Sequence, residues 1–535
     1  MPTRRDILKI GGLGALGTVG LSALPSWSQL AAKSASELPT ASMPRPFETV
    51  FARPRVLRPD KSVRARDGVF VDHFSVTERE GVARILRDGT TTKVWGYNGA
   101  VPGPVVKVRR GRRAVLRVRN HLPAVHPTLG HEFTTSTHLH GSASLPQFDG
   151  YASDVTPPGF YKDYRYPNFQ PARTLWYHDH GVHHTARNAY SGLAAQYHLH
   201  DRAEMSLLPQ GEFDVPVTVS DASFRPDGQL GYDDNSQSGL WGDVILANGA
   251  PWPVMRVKRR IYRFRFLNAS ISRSYRFALS TGDPVTVVAT DGGLMPRSRQ
   301  VSQWRHGNAE RYEVLIDFRR YRPGQRVVLR NLSNQNNVDY DHTGSVMAFD
   351  VSDAPFSKKD PTWNRIPDAL VNSHVMGLRA ADATVTRRLK VERQSGFWTV
   401  NGKTWDDVIN SDFELLVADP KLGATEIWEI ENRSGGWFHP LHIHLIDFKI
   451  LSRNGRPPFD YERGPKDVAY VGENETVRLI MKFGPHRGRY MVHCHNLVHE
   501  DHDMMQQFAV GWRPGQPDPN DPILAAPPRV DDLPR

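Results

Sequence analysis

The chain has 535 residues, among them 43 glycines and 40 prolines, and this turn-rich composition favours an all-β protein of several domains over a helical one. Its single cysteine excludes an intramolecular disulfide. The formal charge of +11 is spread along the chain without a basic tail, which argues against binding of nucleic acid.

The first segment of the chain has the features of an export signal. Arg4 and Arg5 precede a mildly apolar, glycine-rich stretch at residues 10–24. Residues 1–32 therefore resemble a twin-arginine signal peptide, which predicts export through the twin-arginine translocon to the periplasm or out of the cell. Neither this stretch nor any later one is suited to span a membrane, so we expect no membrane insertion.

The remainder of the chain is predicted to form short strands separated by turns. Residues 105–109 and 114–119 flank a turn at Gly111, and apolar and basic residues alternate from Leu116 to Arg119. Alternation with a period of two is typical of a half-buried strand. Similar runs recur along the chain and long amphipathic helices are hard to find, so β-sandwich domains are expected. Polar, proline-containing stretches at 207–217 and 352–367 are the predicted linkers.

Ten of the 23 histidines fall into four short clusters, two in the N-terminal third and two in the C-terminal third. The clusters are His138-Leu139-His140, His178-Asp179-His180, His439-Pro440-Leu441-His442-Ile443-His444, and His493-Cys494-His495 followed by His499 and Met504. Residues i and i+2 of a strand share one face, whereas residue i+1 points to the other. His493 and His495 are therefore predicted to face away from Cys494, so that one tripeptide joins two different sites.

The two sides of this tripeptide predict two kinds of metal site. Cys494, His439, His499 and Met504 supply a thiolate, two imidazoles and a thioether, the ligand set of a blue, type 1 copper site. The other eight clustered histidines are enough to hold three more coppers. Zinc is a poorer candidate, because a closed zinc site takes only four ligands. The histidines outside the clusters are expected to have no ligand role.

These clusters resemble those of the multicopper oxidases. The similarity to the branch of bilirubin oxidase and spore-coat laccase extends beyond the ligands, over residues 137–150, 172–190, 437–448 and 493–505, with shorter matches at 241–244 and 464–468. The resemblance implies an all-β fold of three cupredoxin-like Greek-key β-sandwich domains. The implied domains are 45–206 and 365–515, which carry copper ligands, and 213–355, which carries none, with a C-terminal tail at 516–535.

The resemblance also implies four copper ions, each with its ligands. Type 1 copper takes His439, Cys494, His499 and Met504; type 2 takes His138 and His442; one type 3 copper takes His140, His178 and His495, and the other takes His180, His444 and His493. The implied activity couples four one-electron oxidations of an organic donor to the four-electron reduction of O₂ to water. Phenols, aromatic amines and bilirubin-like tetrapyrroles are the expected donors.

Two further residues match functional positions of that family, and a third is a candidate substrate contact. Glu500 and Asp149 correspond to acids that deliver protons, although Asp149 also fits an ordinary Asp-Gly turn. If the segment around Glu500 is extended, its side chain points away from the type 1 site. Trp437, two residues before His439, is a candidate substrate contact, and core packing explains it equally well.

Two alternatives remain open. The first is a metallo-oxidase that acts on Cu(I) or Mn(II), although the chain has only 11 methionines and no methionine-rich insert. The second is a copper-free envelope protein of the same fold, against which the complete ligand set argues. We expect a monomer whose partners are O₂ and a small reducing substrate.

Overall fold

The computed structural model describes residues 35–354, 364–371, 373–523 and 528–530. The predicted signal peptide, residues 1–32, lies outside the described residues. The strands, in chain order, are β1 (Val56–Leu57), β2 (Lys61–Arg64), β3 (Phe70–Ala83), β4 (Thr92–Tyr97), β5 (Val105–Arg109), β6 (Arg113–Asn120), β7 (Thr137–His140), β8 (Tyr161–Tyr166), β9 (Arg173–Asp179), β10 (Ala194–His200), β11 (Asp214–Ala222), β12 (Val244–Ala247), β13 (Ala250–Pro251), β14 (Val254–Val257), β15 (Ile261–Asn268), β16 (Tyr275–Leu279), β17 (Val285–Thr290), β18 (Gly293–Val301), β19 (Gln303–His306), β20 (Arg311–Asp317), β21 (Arg326–Asn331), β22 (Ser345–Val351), β23 (Val385–Gln394), β24 (Phe397–Val400), β25 (Thr425–Asn432), β26 (His439–Ile443), β27 (Phe448–Arg453), β28 (Val468–Val471), β29 (Thr476–Lys482), β30 (Gly488–Cys494) and β31 (Met505–Val510).

The helices of the described chain are short. The α-helices are α1 (Thr185–Ser191), α2 (Arg202–Leu207), α3 (Trp405–Asn410) and α4 (Leu497–Asp501). Single 3₁₀ turns occur at Pro146–Phe148, Gly211–Phe213, Phe318–Arg320, His374–Gly377, Ala380–Asp382 and Asp460–Glu462. Within these described ranges no helix has the length and apolar character needed to cross a membrane.

The strands form six sheets that pack in three pairs. The N-terminal sandwich joins sheet β1-β5-β10-β9-β7 to sheet β2-β3-β6-β8, with β4 beside β3. The middle sandwich joins β13-β12-β11-β15-β20-β17-β18 to β14-β22-β21-β16-β19, and the C-terminal sandwich joins β24-β23-β25-β29-β27 to β28-β26-β30-β31. Each pair encloses a large hydrophobic cluster. The cluster contains Leu116 in the N-terminal sandwich, Phe264 in the middle one and Leu479 in the C-terminal one. The predicted all-β fold of three β-sandwiches is confirmed.

The alternation seen in the sequence follows the burial of the strands. In β6 every second residue is buried, from Ala114 through Leu116 to Val118, and Val115 and Arg117 between them are only partly covered. The predicted linker at 207–217 was too long, because β11 already begins at Asp214 and pairs in parallel with β15. Its valines, such as Val215, are buried apolar residues that favour a strand over a linker.

The described part of the C-terminal tail returns to the N-terminal sandwich. The amide of Tyr161 donates to the carbonyl of Pro528 (3.0 Å), and the amide of Val530 donates to the carbonyl of Gly159 (2.8 Å). Both bonds lie beside the start of β8, so residues 528–530 cover that edge.

Two strand pairs bring the histidine clusters together. In the N-terminal sandwich β7 pairs with β9, and His138 lies opposite His178. In the C-terminal sandwich β26 pairs with β30, where His442 lies opposite His493 and Leu441 opposite Cys494. Neighbouring strands of one sheet thus hold two clusters side by side in each sandwich, and the two sandwiches meet at these strands.

Candidate metal centres

Eight histidines from two sandwiches meet in one buried cluster, and each is at most 1% exposed. The eight are His138, His140, His178, His180, His442, His444, His493 and His495, which we call the histidine cluster. Rings from the two sandwiches stack in pairs: His140 on His442 with centroids 3.6 Å apart, and His138 on His444 at 4.0 Å. Ring nitrogens of three subsets lie within 4.8 Å of one another: His138, His140 and His442; His140, His178 and His495; and His180, His444 and His493.

The inward ring nitrogens of this cluster fit metal ions. Five of them are buried without a hydrogen-bond partner, namely Nε2 of His138, His178, His442 and His495 and Nδ1 of His140. Nε2 of His493 lies 3.1 Å from Nε2 of both His180 and His444, although imidazole nitrogens have too few protons to satisfy such a meeting. A buried nitrogen without a partner is costly, and a bound cation would remove that cost.

Burial also favours the neutral form of seven of these imidazoles. It is the main cause that lowers the pKa of His138, His140, His178, His180, His442, His444 and His495. A neutral imidazole has a free lone pair, which is the form that binds metals.

Asp149 holds two of these histidines from outside the cluster. Its backbone oxygen accepts a hydrogen bond from His138 Nδ1, and its carboxylate Oδ2 accepts one from His444 Nδ1 at 2.7 Å. Gly150 makes this approach possible: its φ is +75°, and a Cβ there would lie 2.6 Å from the backbone of His138. Burial raises the pKa of Asp149 well above its usual range.

Glu500 lies on the side of the cluster next to His493 and His180. Its Oε2 is 2.8 Å from His493 Nδ1, and its Oε1 is 3.6 Å from His180 Nε2. Burial tends to raise the pKa of Glu500, but these histidines outweigh burial and the pKa is lowered. The segment is the short helix α4 and is not extended, so the premise used to orient this side chain was wrong. The helical turn itself directs Glu500 to the histidines.

Cys494 lies in a second, smaller group with His439, His499 and Met504, which we call the cysteine cluster. All four are fully buried. Cys494 Sγ is 3.3 Å from His439 Nδ1 and 3.7 Å from His499 Nδ1, and the two nitrogens are 3.2 Å apart. Met504 belongs to the same hydrophobic cluster as Cys494, and its backbone oxygen accepts from the Cys494 amide (3.0 Å). As strand alternation predicts, His493 and His495, on either side of Cys494, belong to the other cluster.

Neutral groups surround the cysteine cluster. His439 Nε2 donates to Ser434 Oγ at 2.8 Å, and His499 Nε2 donates to the backbone oxygen of Ser238 at 3.1 Å. Trp398 stacks on His499 with centroids 3.9 Å apart. The remaining imidazole nitrogen of each histidine is the one that faces sulfur, so this group also fits a soft metal ion.

Trp437 lies beside this cluster and is almost completely buried. Its ring centroid is 5.9 Å from those of both Trp398 and His499 and 6.2 Å from that of Trp241. Only 4% of the residue is exposed, so its ring offers no free face to a donor at the surface.

Several contacts of the two clusters were not found from the sequence. Ser238 lies 261 positions from His499, and Asp467 lies 327 positions from His140, whose Nε2 donates to it. Asp467 falls within the matched segment 464–468, and that match was the only available signal. Ser434 and Trp398 occur in segments without histidines, where no pattern marked them.

Comparison with known proteins supports a copper-binding function. Two family models, both described as multicopper oxidase, match residues 81–204 and 380–513. A bilirubin oxidase of Albifimbria verrucaria is 39% identical over 86% of this chain and 82% of its own length. A laccase of Bacillus subtilis is 33% identical over 82% of this chain and 94% of its own. The crystal structure of a multi-copper oxidase from Pediococcus acidilactici superposes with a TM-score of 0.74 at 28% identity, covering 90% of this chain and 98% of that one.

Proposed function

The chain belongs to the multicopper oxidase family and is an oxidoreductase that uses O₂, and on that basis we propose that it oxidises small organic donors with four bound copper ions. The observation that carries this proposal is the pair of clusters joined by His493-Cys494-His495. One cluster contains a thiol and the other contains imidazoles alone, and a single tripeptide links them covalently.

The proposed type 1 ligands are His439, Cys494, His499 and Met504. The histidine cluster would hold type 2 copper on His138 and His442, and the type 3 pair on His140, His178 and His495 and on His180, His444 and His493. The support is that each subset has ring nitrogens within 4.8 Å of one another. When bound, copper supplies one-electron redox chemistry at the cysteine cluster and O₂ reduction at the histidine cluster.

Protons for O₂ reduction are proposed to come through Glu500 and Asp149. The reduction of O₂ to two waters consumes four protons, and the buried histidine cluster needs groups that deliver them. The Glu500 carboxylate contacts His493 and His180, and Asp149 contacts His138 and His444, so the two acids lie on different sides of the cluster. A carboxyl group so placed can take a proton from water and release it beside the cluster.

The donor is proposed to be a phenol, an aromatic amine or a bilirubin-like tetrapyrrole. The names of the two relatives, bilirubin oxidase and laccase, support this class. The aromatic group of Trp398 and Trp437 beside His499 is a route for electrons from a planar donor. We propose Trp437 as part of that route.

Steady-state rates on bilirubin, a methoxyphenol and Cu(I), measured side by side on the copper-loaded protein, test the donor class. We expect the organic donors to be oxidised with a higher kcat/KM. Faster oxidation of Cu(I) than of both organic donors would favour the metallo-oxidase alternative.

We also propose the domain limits 45–206, 213–355 and 365–515, since each sandwich has its own hydrophobic cluster.

Arg4 and Arg5 are proposed to direct the folded monomer through the twin-arginine translocon to the periplasm or outside the cell. Replacing both arginines (Arg4→Lys with Arg5→Lys) should leave the oxidase activity in the cytoplasm. The control variant Lys9→Arg should still be exported. Unchanged export of the double variant would contradict this route.

A further inference from the structure

Asp467 touches two proposed ligands that come from different sandwiches. Its carboxylate Oδ1 accepts a hydrogen bond from His140 Nε2 at 3.0 Å, and its backbone oxygen accepts one from His442 Nδ1 at 2.8 Å. His140 is on β7 of the N-terminal sandwich, His442 is on β26 of the C-terminal sandwich, and their rings stack. Asp467 is 1% exposed, so water does not compete for these bonds.

Arg311, on β20 of the middle sandwich, holds the carboxylate of Asp467. Its Nη1 donates to Oδ1 at 2.7 Å and its Nη2 donates to Oδ2 at 2.5 Å, a bidentate contact. The guanidinium is itself fixed, because Nε donates to the backbone oxygen of Thr174 at 3.0 Å and Nη1 also donates to that of Ala309 at 2.9 Å. Arg311 is completely buried.

Other residues of this junction pack closely around the Arg311–Asp467 pair. A Cβ on Gly141 would lie 2.6 Å from Asp467 Oδ2 and 2.7 Å from an Arg311 nitrogen. The backbone amide of Asp467 donates to Asp291 Oδ2 (3.3 Å). The carboxylate of Asp291 also pairs with Lys466 Nζ at 2.9 Å. Asp467 is thus held through its backbone and its side chain by residues of the middle sandwich.

From this geometry we propose that Arg311 and Asp467 are positioning residues of the histidine cluster, through which the middle sandwich fixes the tautomer and orientation of His140 and His442. The inference rests on the ligand assignment proposed above. With its proton on Nε2, His140 must bind metal through Nδ1, and Nδ1 is its buried nitrogen that has no partner. For His442 the same argument assigns Nε2 as the ligating atom. The middle sandwich, which supplies no proposed ligand, therefore shapes the site through its arginine.

The inference is tested on the copper-loaded, full-length protein with Asp467→Asn and Arg311→Lys. Mutation of a residue that orients a metal ligand typically weakens metal binding by about 10–100-fold. We expect Asp467→Asn to lose copper from the histidine cluster at a chelator concentration that wild type tolerates, and to change the type 2 electron paramagnetic resonance signal. The blue absorption from Cys494 should be unchanged. Arg311→Lys should show the same defect more weakly, because lysine donates from a single point.

Asp447→Asn is the matched control. Asp447 forms a bidentate pair with Arg173, with Nη1–Oδ1 at 2.7 Å and Nη2–Oδ2 at 3.0 Å, and this pair also joins two sandwiches. Among the described residues, the Asp447 carboxylate forms hydrogen bonds with Arg173 and with no proposed ligand. The control should keep both wild-type copper affinity and the type 2 signal, even if its unfolding temperature falls.

Wild-type copper affinity and an unchanged type 2 signal in both Asp467→Asn and Arg311→Lys would overturn the inference. If Asp467→Asn does not fold, Arg311→Lys alone decides by the same two readouts. A wild-type protein that binds no copper in the histidine cluster would instead refute the proposed function, so the two failures are distinguishable.

Discussion

The cysteine cluster and the histidine cluster lie on opposite sides of one tripeptide and have different surroundings. The outward nitrogens of His439 and His499 donate to neutral oxygens, the Ser434 hydroxyl and the Ser238 carbonyl. Three outward nitrogens of the histidine cluster, those of His444, His140 and His493, instead meet the carboxylates of Asp149, Asp467 and Glu500. Transfer of one electron needs no proton, whereas reduction of O₂ needs four. Under the proposed function, these acids therefore lie beside the cluster that would consume protons.

The two clusters also differ in how many sandwiches contribute to them. The cysteine cluster is formed within the C-terminal sandwich, and its sulfur is in a largely apolar group with Trp398 and Trp437. The histidine cluster joins two sandwiches and is held from the third through Arg311. A site that only passes electrons can be compact, but a site that binds O₂ and receives protons needs ligands and acids from several directions.

The largest effect is expected when the sulfur of Cys494 is removed from the cysteine cluster. Cys494→Ser should abolish the blue absorption and reduce turnover almost to background, because no thiolate remains to bind and couple the type 1 copper. The histidine cluster should keep much of its copper, since its ligands lie on the other side of the strand. Copper analysis with absorption spectroscopy checks both. A Cys494→Ser variant that stays blue would contradict the assignment of Cys494 to the type 1 copper site.

Removing the carboxylic acid of Glu500 should change the reaction at the histidine cluster and leave the cysteine cluster unchanged. Glu500→Gln keeps the shape of the side chain but cannot release a proton, and a positioned acid contributes roughly 10²–10⁴-fold to such steps. We expect normal copper content, a normal blue band and normal anaerobic reduction by donor. Reoxidation by O₂, followed by stopped-flow mixing, should then be slower by a factor in that range.

Ser434→Ala is a useful control for this variant, because it removes a neutral partner of His439 and should leave reoxidation by O₂ unchanged. Reoxidation of Glu500→Gln at the wild-type rate would show that Glu500 only orients His493 and carries no proton.

A smaller effect is expected from the thioether. Met504→Leu should raise the reduction potential of the type 1 copper, since a thioether donates to oxidised copper and leucine does not. Copper content and the rate of reoxidation should remain as in wild type. A redox titration that finds the same or a lower potential would contradict the axial role of Met504.

The sequence alone allowed much of both clusters to be predicted, because strand alternation is local. The spacing of His493, Cys494 and His495 determines which side chains face together, and the all-β fold followed from the turn-rich composition and the short alternating runs. Asp467, Ser238 and Trp398 could not be predicted in the same way. Their contacts depend on how distant segments pack, and an isolated aspartate, serine or tryptophan carries no spacing signal of its own.

The local structure around Glu500 shows the same limit. The segment is the short helix α4 and not a strand, and its five residues are too few to produce a helical pattern in the sequence. Glu500 still reaches the histidine cluster, but through a turn that only the fold determines.

The central claim, that one chain holds two different copper sites joined by Cys494, is tested most directly by measuring copper and its spectroscopic types in the wild-type protein. The account predicts four coppers per chain, an intense blue absorption from one of them, and a type 2 electron paramagnetic resonance signal from another. A fully copper-loaded protein that is colourless would contradict it.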